Sequence, residues 1–340
     1  MKLFRIPVAV IAVAVLLAGV QSCENVNDPV IPSIDLRVNG VIDTIEFSRN
    51  NEESLLTLTM FLSDQEGRAI TDLSEGKIRA YLEWTPTGGT AKRQSDIITG
   101  GAVKQLRGRP ELQTFSGSGQ NIAVSNVMDY SGSMAGRIGD MENAVAVFFQ
   151  NYESGDAAEV IKFGNSIDVV QPYTTDKSLL LSAATASSFH RGGTNLFGSI
   201  YQGIVNTSLI DRTSYNRAVL AFTDGEDTQG AVSKADIIAL AQAERIPVFT
   251  VGLLDKGSVG ESDLIRIADE TGGFYYYSPG SDKLGEIYQL ISGNLRNSYQ
   301  ITVYWRSALL PATGTPVSFV VEVLSDSDVA AKFREDLTMP

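Results

Sequence analysis

The chain of 340 residues leaves room for two domains at about 150 residues each, and 43% hydrophobic with 20% charged residues is the composition of a folded globular protein. Its 27 Lys and Arg against 40 Asp and Glu give a net charge of −13, a field that repels phosphate backbones and excludes nucleic acid as a partner. The single cysteine excludes an internal disulfide, so stability must come from packing.

The first segment reads as an export signal over residues 1–22: Lys2 and Arg5 give it a positive start, and Ile6 to Val20 form an apolar run too short to span a bilayer comfortably. Val20-Gln21-Ser22-Cys23 follows at once. This resembles a bacterial lipoprotein signal, which implies that Cys23 is lipidated and becomes the new N-terminus. The sequence departs from that pattern at Val20, where leucine is preferred, and at Gln21, where a smaller residue is usual; an ordinary cleaved signal with a leftover thiol is the alternative. Residues 23–33, polar from Glu24 on, then form a short tether.

Period-two alternation starts at Ile34, Leu36 and Val38, and Asn39-Gly40 has the form of a two-residue hairpin turn before Val41 to Phe47. Leu55 to Leu62, and Ile78, Ala80, Leu82 and Trp84 with Arg79, Tyr81 and Glu83 between them, predict further half-buried antiparallel strands. The stretch Thr85 to Gly119 is expected to hold turns, one or two strands and a mobile loop. Residues 34–119 are thus the first part of a β-sandwich.

Over residues 120–298 strands alternate with amphipathic helices, which predicts a mostly parallel sheet covered on both faces. Met141, Ala144, Val145, Phe148 and Phe149 form one helical stripe; Ile237, Ile238, Leu240 and Ala241 form a second, and Leu264, Ile265 and Ala268 begin a third. Ala218 to Phe222 and Val248 to Val251 are short apolar runs of the buried-strand kind. Val160 to Phe163 and Ile167 to Val170, around Gly164-Asn165-Ser166, predict a hairpin that adds one antiparallel edge strand. After a helix near Leu284 to Leu295, alternation returns at Tyr299 to Arg306 and Pro316 to Leu324. Two or three strands do not make a stable sheet alone, so residues 299–340 are expected to complete the sandwich of 34–119, with the α/β domain inserted in it or flanked by it.

Three separated segments carry the chemistry. Asp129-Tyr130-Ser131-Gly132-Ser133 follows the strand Ile122 to Met128 and alternates oxygen side chains along a glycine-bearing turn, an arrangement suited to a hard cation. Gly192-Gly193-Thr194-Asn195-Leu196 opens a helix with Leu196, Ile200 and Ile204 on its apolar face, and Thr223-Asp224-Gly225-Glu226 follows the buried strand that ends at Phe222. Loops at the carboxyl ends of parallel strands converge over one crevice, so these segments can meet. Taken singly, each also fits a plain hydrogen-bonded turn or helix cap.

In that order, on that alternation, they resemble the metal ion-dependent adhesion site of von Willebrand factor A domains over roughly Gln120 to Ser298. The resemblance implies a doubly wound, Rossmann-like α/β fold and a site of Asp129, Ser131, Ser133, Thr194 and Asp224 for Mg²⁺, with Mn²⁺ or Ca²⁺ as alternatives. It also implies a protein or glycan ligand with an exposed carboxylate, which completes the metal's coordination. In parts of that family the last helix slides when the metal shell rearranges; here Gly285 and Gly293 would soften it, although simple packing of that helix is an equal expectation. Ser125 and Asn126 depart from the family's apolar central strand.

The expected function is that of a surface lipoprotein in the bacterial cell envelope that binds a ligand through its metal and is not an enzyme. With His190 the only histidine and Cys23 committed to lipid, neither Ser-His-Asp nor Cys-His chemistry nor a zinc hydrolase centre can be assembled. Glu226 and Asp227 are a carboxylate pair that reads more simply as solvated charge. A metal-independent scaffold or assembly factor is the alternative, and a metal-assisted hydrolase the more remote one.

Overall fold

The computed structural model describes residues 39–50, 52–85, 97–100, 103–116, 121–186, 192–253, 260–278, 283–325 and 328–340. The export signal, Cys23, the tether, the strand expected at Ile34 to Val38 and His190 lie outside the described residues. No described helix is long and apolar enough to cross a membrane.

Strands β1 (Asn39–Ser48), β2 (Glu53–Ser63), β3 (Ile78–Trp84), β4 (Ile97–Gly100), β5 (Val103–Arg107) and β6 (Arg109–Ser116) come first. The α/β body follows: β7 (Asn121–Asp129), α1 (Ile138–Gln150), β8 (Ala157–Phe163), β9 (Ile167–Thr174), α2 (Lys177–Thr185), α3 (Leu196–Ser208), β10 (Tyr215–Thr223), α4 (Lys234–Glu244), β11 (Val248–Gly252), α5 (Glu261–Thr271), β12 (Tyr275–Tyr277) and α6 (Leu284–Arg296). The chain closes with β13 (Asn297–Arg306), β14 (Pro316–Ser325) and β15 (Asp328–Thr338).

The α/β body is built on a six-stranded sheet in the order β12-β11-β10-β7-β8-β9, parallel except for the β8–β9 hairpin at its edge. This is the mixed, mostly parallel class that the strand-helix alternation predicts. Because every residue of such a strand is covered, β7, β8 and β10 are buried nearly end to end. Ile122, Val124 and Met128 face α1, α2 and α6, while Val127, Ile161 and Val219 face α3, α4 and α5.

The remaining strands form two antiparallel sheets, β1-β2-β13-β6 and β15-β14-β3-β5-β4, which share one core through Leu58, Leu82, Ile301 and Phe319. Strands from before and after the α/β body pair directly: β13 lies between β2 and β6, and β14 beside β3. The two bodies meet where Gly67 O accepts hydrogen bonds from Tyr276 Oη (3.0 Å) and Asn294 Nδ2 (2.7 Å), and where Arg245 Nη2 stands 3.5 Å from Glu335 Oε2.

Several expectations need correction. Asn39-Gly40 is no turn; it lies within β1, with Asn39 opposite Ser63 and Gly40 opposite Leu62. A side chain at Gly40 would put its Cβ 2.2 Å from Phe61 O, so glycine here serves close strand approach, a use the dipeptide alone does not reveal. The stretch 85–119 carries three strands, not one or two. Helix α5 buries Leu264, Ile267, Ala268 and Thr271, and Ile265 is exposed. Ser125 and Asn126 are fully buried, and Asn126 Nδ2 donates to Val124 O (3.2 Å) and Glu159 O (3.3 Å), so the central strand keeps its place with polar groups inside it.

Candidate metal-binding site

Strand β7 ends at Asp129, whose side chain is wholly buried at the carboxyl edge of the parallel sheet. One carboxylate oxygen, Oδ1, accepts the Ser131 backbone N–H at 2.7 Å, the usual hydrogen bond of an aspartate to its own turn. The other, Oδ2, accepts the Thr223 hydroxyl at 2.6 Å from the neighbouring strand β10. The Ser133 hydroxyl donates to Asp224 Oδ1 at 2.8 Å and stands 3.2 Å from the Ser131 hydroxyl. Asp129, Ser131, Ser133 and Asp224 thus form one cluster, buried at Asp129 and Ser131 and open to solvent at Ser133.

The second segment reaches the first through backbone. Gly132 N donates to Gly192 O at 3.3 Å, and Gly192 holds φ +129°, a conformation that only glycine adopts freely. Thr194 is buried just ahead of α3; among the described residues its hydroxyl makes no hydrogen bond with the other four candidates. Its backbone is tied to the third segment instead, with Thr194 N donating to Thr228 Oγ1 and Thr228 N to Thr194 O, both at 2.8 Å.

Three residues that hold the loops together carry no role in the sequence reading (Thr228, Asn165 and Thr223, which orients Asp129), and a fourth, Asp227, is not the solvated charge expected. Asp227 Oδ1 accepts Phe197 N at the start of α3 (3.0 Å) and Oδ2 accepts Gly230 N (2.8 Å), so this carboxylate is a clamp between segments. Glu226 beside it is exposed. Asn165 Oδ1, in the β8–β9 turn, accepts Gly193 N at 2.7 Å. Such clamps depend on residues brought together only by the fold, although Asn, Asp and Thr in glycine-bearing turns are the residue types that supply them.

Burial pushes the Asp129 carboxyl up to about 6, against the pull of the Thr223 and Ser131 hydrogen bonds, and the nearby Asp224 raises it further. A cation between the two carboxylates would relieve both effects. Among the described residues no three His, Cys, Asp or Glu side chains cluster to hold a metal, so hydroxyls must complete any donor set here. An all-oxygen set suits a hard cation. The residues present therefore fit a hard divalent cation such as Mg²⁺, Mn²⁺ or Ca²⁺.

Residues 124–290 match the family model of the von Willebrand factor type A domain. No curated protein matches the chain. Similar solved structures include an aerotolerance-related membrane protein of Bacteroides fragilis (20% identity, 52% of this chain and 98% of the other, TM-score 0.43) and BatB of Bacteroides thetaiotaomicron (19%, 51% and 98%, 0.43). A third is proximal thread matrix protein 1 of the mussel byssus, described with a zinc-occupied MIDAS motif (19%, 55% and 49%, 0.46).

Proposed function

We propose that the domain matched at 124–290 is a metal-dependent binding module that holds a protein or glycan by an acidic group, and that the chain acts as an anchored interaction protein, not as an enzyme. The observation that carries this reading is the oxygen cluster of Asp129, Ser131, Ser133 and Asp224 at the carboxyl edge of the sheet, linked by hydrogen bonds and open on the Ser133 side.

A bound Mg²⁺ or Mn²⁺ supplies an electrophilic position for one oxygen of a ligand carboxylate. The protein's part is to leave that position unsatisfied. Ser131 and Ser133 offer neutral hydroxyls, which do not quench the cation's charge as further carboxylates would. Thr194 is the fifth proposed donor, on a loop that the Gly132–Gly192 backbone bond joins to the first. Asp129, held by Thr223 and its own turn, fixes the floor of the site. The lone cysteine directly after the apolar N-terminal run supports anchoring through lipid at Cys23, which would put the module at the surface of a bacterial envelope membrane.

The test is a pull-down from envelope and surface extracts with wild type and Asp129→Ala, each with Mg²⁺ and with chelator. Partners retained only by wild type with Mg²⁺ are the expected result. Partners retained in all four samples would overturn the metal-dependent reading in favour of a scaffold, and hydrolytic turnover that needs Asp129 would return the chain to the enzymes.

A further inference from the structure

We infer that Lys162 is a positioning residue for the loop that carries Asp129, Ser131 and Ser133, an inference that rests on the metal-binding reading above. Lys162 belongs to β8, where the register sets it beside Met128 and sets Phe163 beside Asp129. In an alternating strand a lysine reads as a solvent-facing residue; here the side chain is wholly buried.

Its ammonium is met from three elements. Nζ donates to Ala186 O, at the C-terminal end of α2, at 2.5 Å. It lies 4.6 Å from the centre of the Tyr130 ring, a cation–π contact. Glu142 Oε1, on α1, stands 4.0 Å away and also accepts the Tyr130 hydroxyl at 2.6 Å. Burial draws the lysine down to about 8 while Glu142 holds it up, so the group carries its charge at neutral pH.

Tyr130 is the residue between the first two ligand candidates. Asp129 turns toward Thr223, while Tyr130 turns the other way, into the core beneath α1. Fixing the Tyr130 ring therefore fixes the backbone from which Asp129 and Ser131 project. The first ligand loop in turn holds the second through backbone, Gly132 N donating to Gly192 O. One buried charge thus ties down the end of α2 and the first ligand loop, and through Gly132 the start of the second. A buried ammonium is a costly way to fill space that a methionine would fill, and replacing such groups by apolar ones often leaves stability unchanged or raises it. That is what makes the role testable.

Calorimetric Mg²⁺ and Mn²⁺ titrations and amide hydrogen exchange on wild type, Lys162→Met and Glu142→Gln decide it. Lys162→Met is expected to melt, metal-free, at or above the wild-type temperature, yet to bind Mg²⁺ on the order of tenfold or more weakly, as losses behind metal ligands do. Its Ser131 to Met134 and Gly192 to Thr194 amides should exchange faster while those of β2 and β13 do not. Glu142→Gln, which keeps a Tyr130 partner, should fall between. Unchanged affinity and exchange in Lys162→Met would overturn the inference, as would a fall in melting temperature with faster exchange throughout the domain, the mark of a merely structural lysine. If folded wild type bound neither ion, the metal reading would fail by itself, and the exchange comparison would still decide whether Lys162 holds the loop.

Discussion

The sandwich and the α/β body both bury charges where they face each other, but only the α/β body buries them in the strands beneath the candidate site. In the sandwich, Leu58, Leu82, Ile301 and Phe319 meet in the shared core, and the deeply buried acids Asp43 and Glu335 feel the arginines of the other body: Arg217, Arg212 and Arg245 for Asp43, Arg245 for Glu335. The α/β body buries Asp156, Arg217 and Arg245 away from the site as well, but it also buries Asp129, Glu159 and Lys162 within β7 and β8, the strands that lead to the candidate site. A layer that has only to hold together gains most from apolar contact. A layer that must present oxygens at fixed spacing keeps costly polar groups beneath them.

The largest effect expected is on the sandwich. Leu58, fully buried on β2 between Ile45 and Ile301, should cost about 2–5 kcal/mol when truncated to alanine. Chemical denaturation reads the loss, and the folded fraction should keep wild-type Mg²⁺ affinity; a changed affinity would break the division of labour between the bodies.

Next comes Glu159, whose Oε2 accepts Asn206 Nδ2 at 2.8 Å and whose carboxyl burial pushes from 4.5 to about 7, opposed by Ser125 and Asn206. The unfolded chain releases this proton near 4.5, the folded chain only near 7, so between those values the folded state holds more protons and stability falls as pH rises. The rise corresponds to on the order of 3 kcal/mol. Glu159→Gln should flatten the fall between pH 4.5 and 7 relative to wild type in urea denaturation; parallel curves would show that Glu159 is not the group responsible. Metal comes after it: at a hundred times Kd, Mg²⁺ should stabilise wild type by about 2.7 kcal/mol and Asp129→Ala not at all, read as a melting-temperature shift.

The fold is legible in the sequence only where an element meets a core or ends at the carboxyl edge of the sheet. Period-two strands such as β2 and β13, and the stripe Met141 to Phe149, were legible because one face of each element meets a core. The loops bearing Asp129, Thr194 and Asp224 were legible as strand and helix ends, since parallel topology sends such ends to one edge. Helix α2 was not: in Lys177–Thr185 only Leu180 and Ala184 are buried, too thin a stripe to register, and its Asp176 cap is the sole local signal. Strand β12 has three residues at a sheet edge, below any periodic signal. Lys162 was invisible and Asp227 misread as solvated charge for another reason, since their roles depend on partners distant in sequence.

The smallest effect tests a helix face. Leu264, Ile265 and Ala268 look alike in sequence, but α5 begins at Glu261 and turns only one side to β11 and α4. At about 100° per residue, Leu264, Ile267, Ala268 and Thr271 share that side, and Ile265 is carried round to solvent. Ile265→Gln should therefore change stability by less than about 0.5 kcal/mol, the range of ordinary surface substitutions, whereas Leu264→Ala should fall in the 2–5 kcal/mol range of buried truncations. If Ile265→Gln instead lowers the melting temperature as Leu264→Ala does, this face is covered in the full protein, by a partner or by a second copy of the chain.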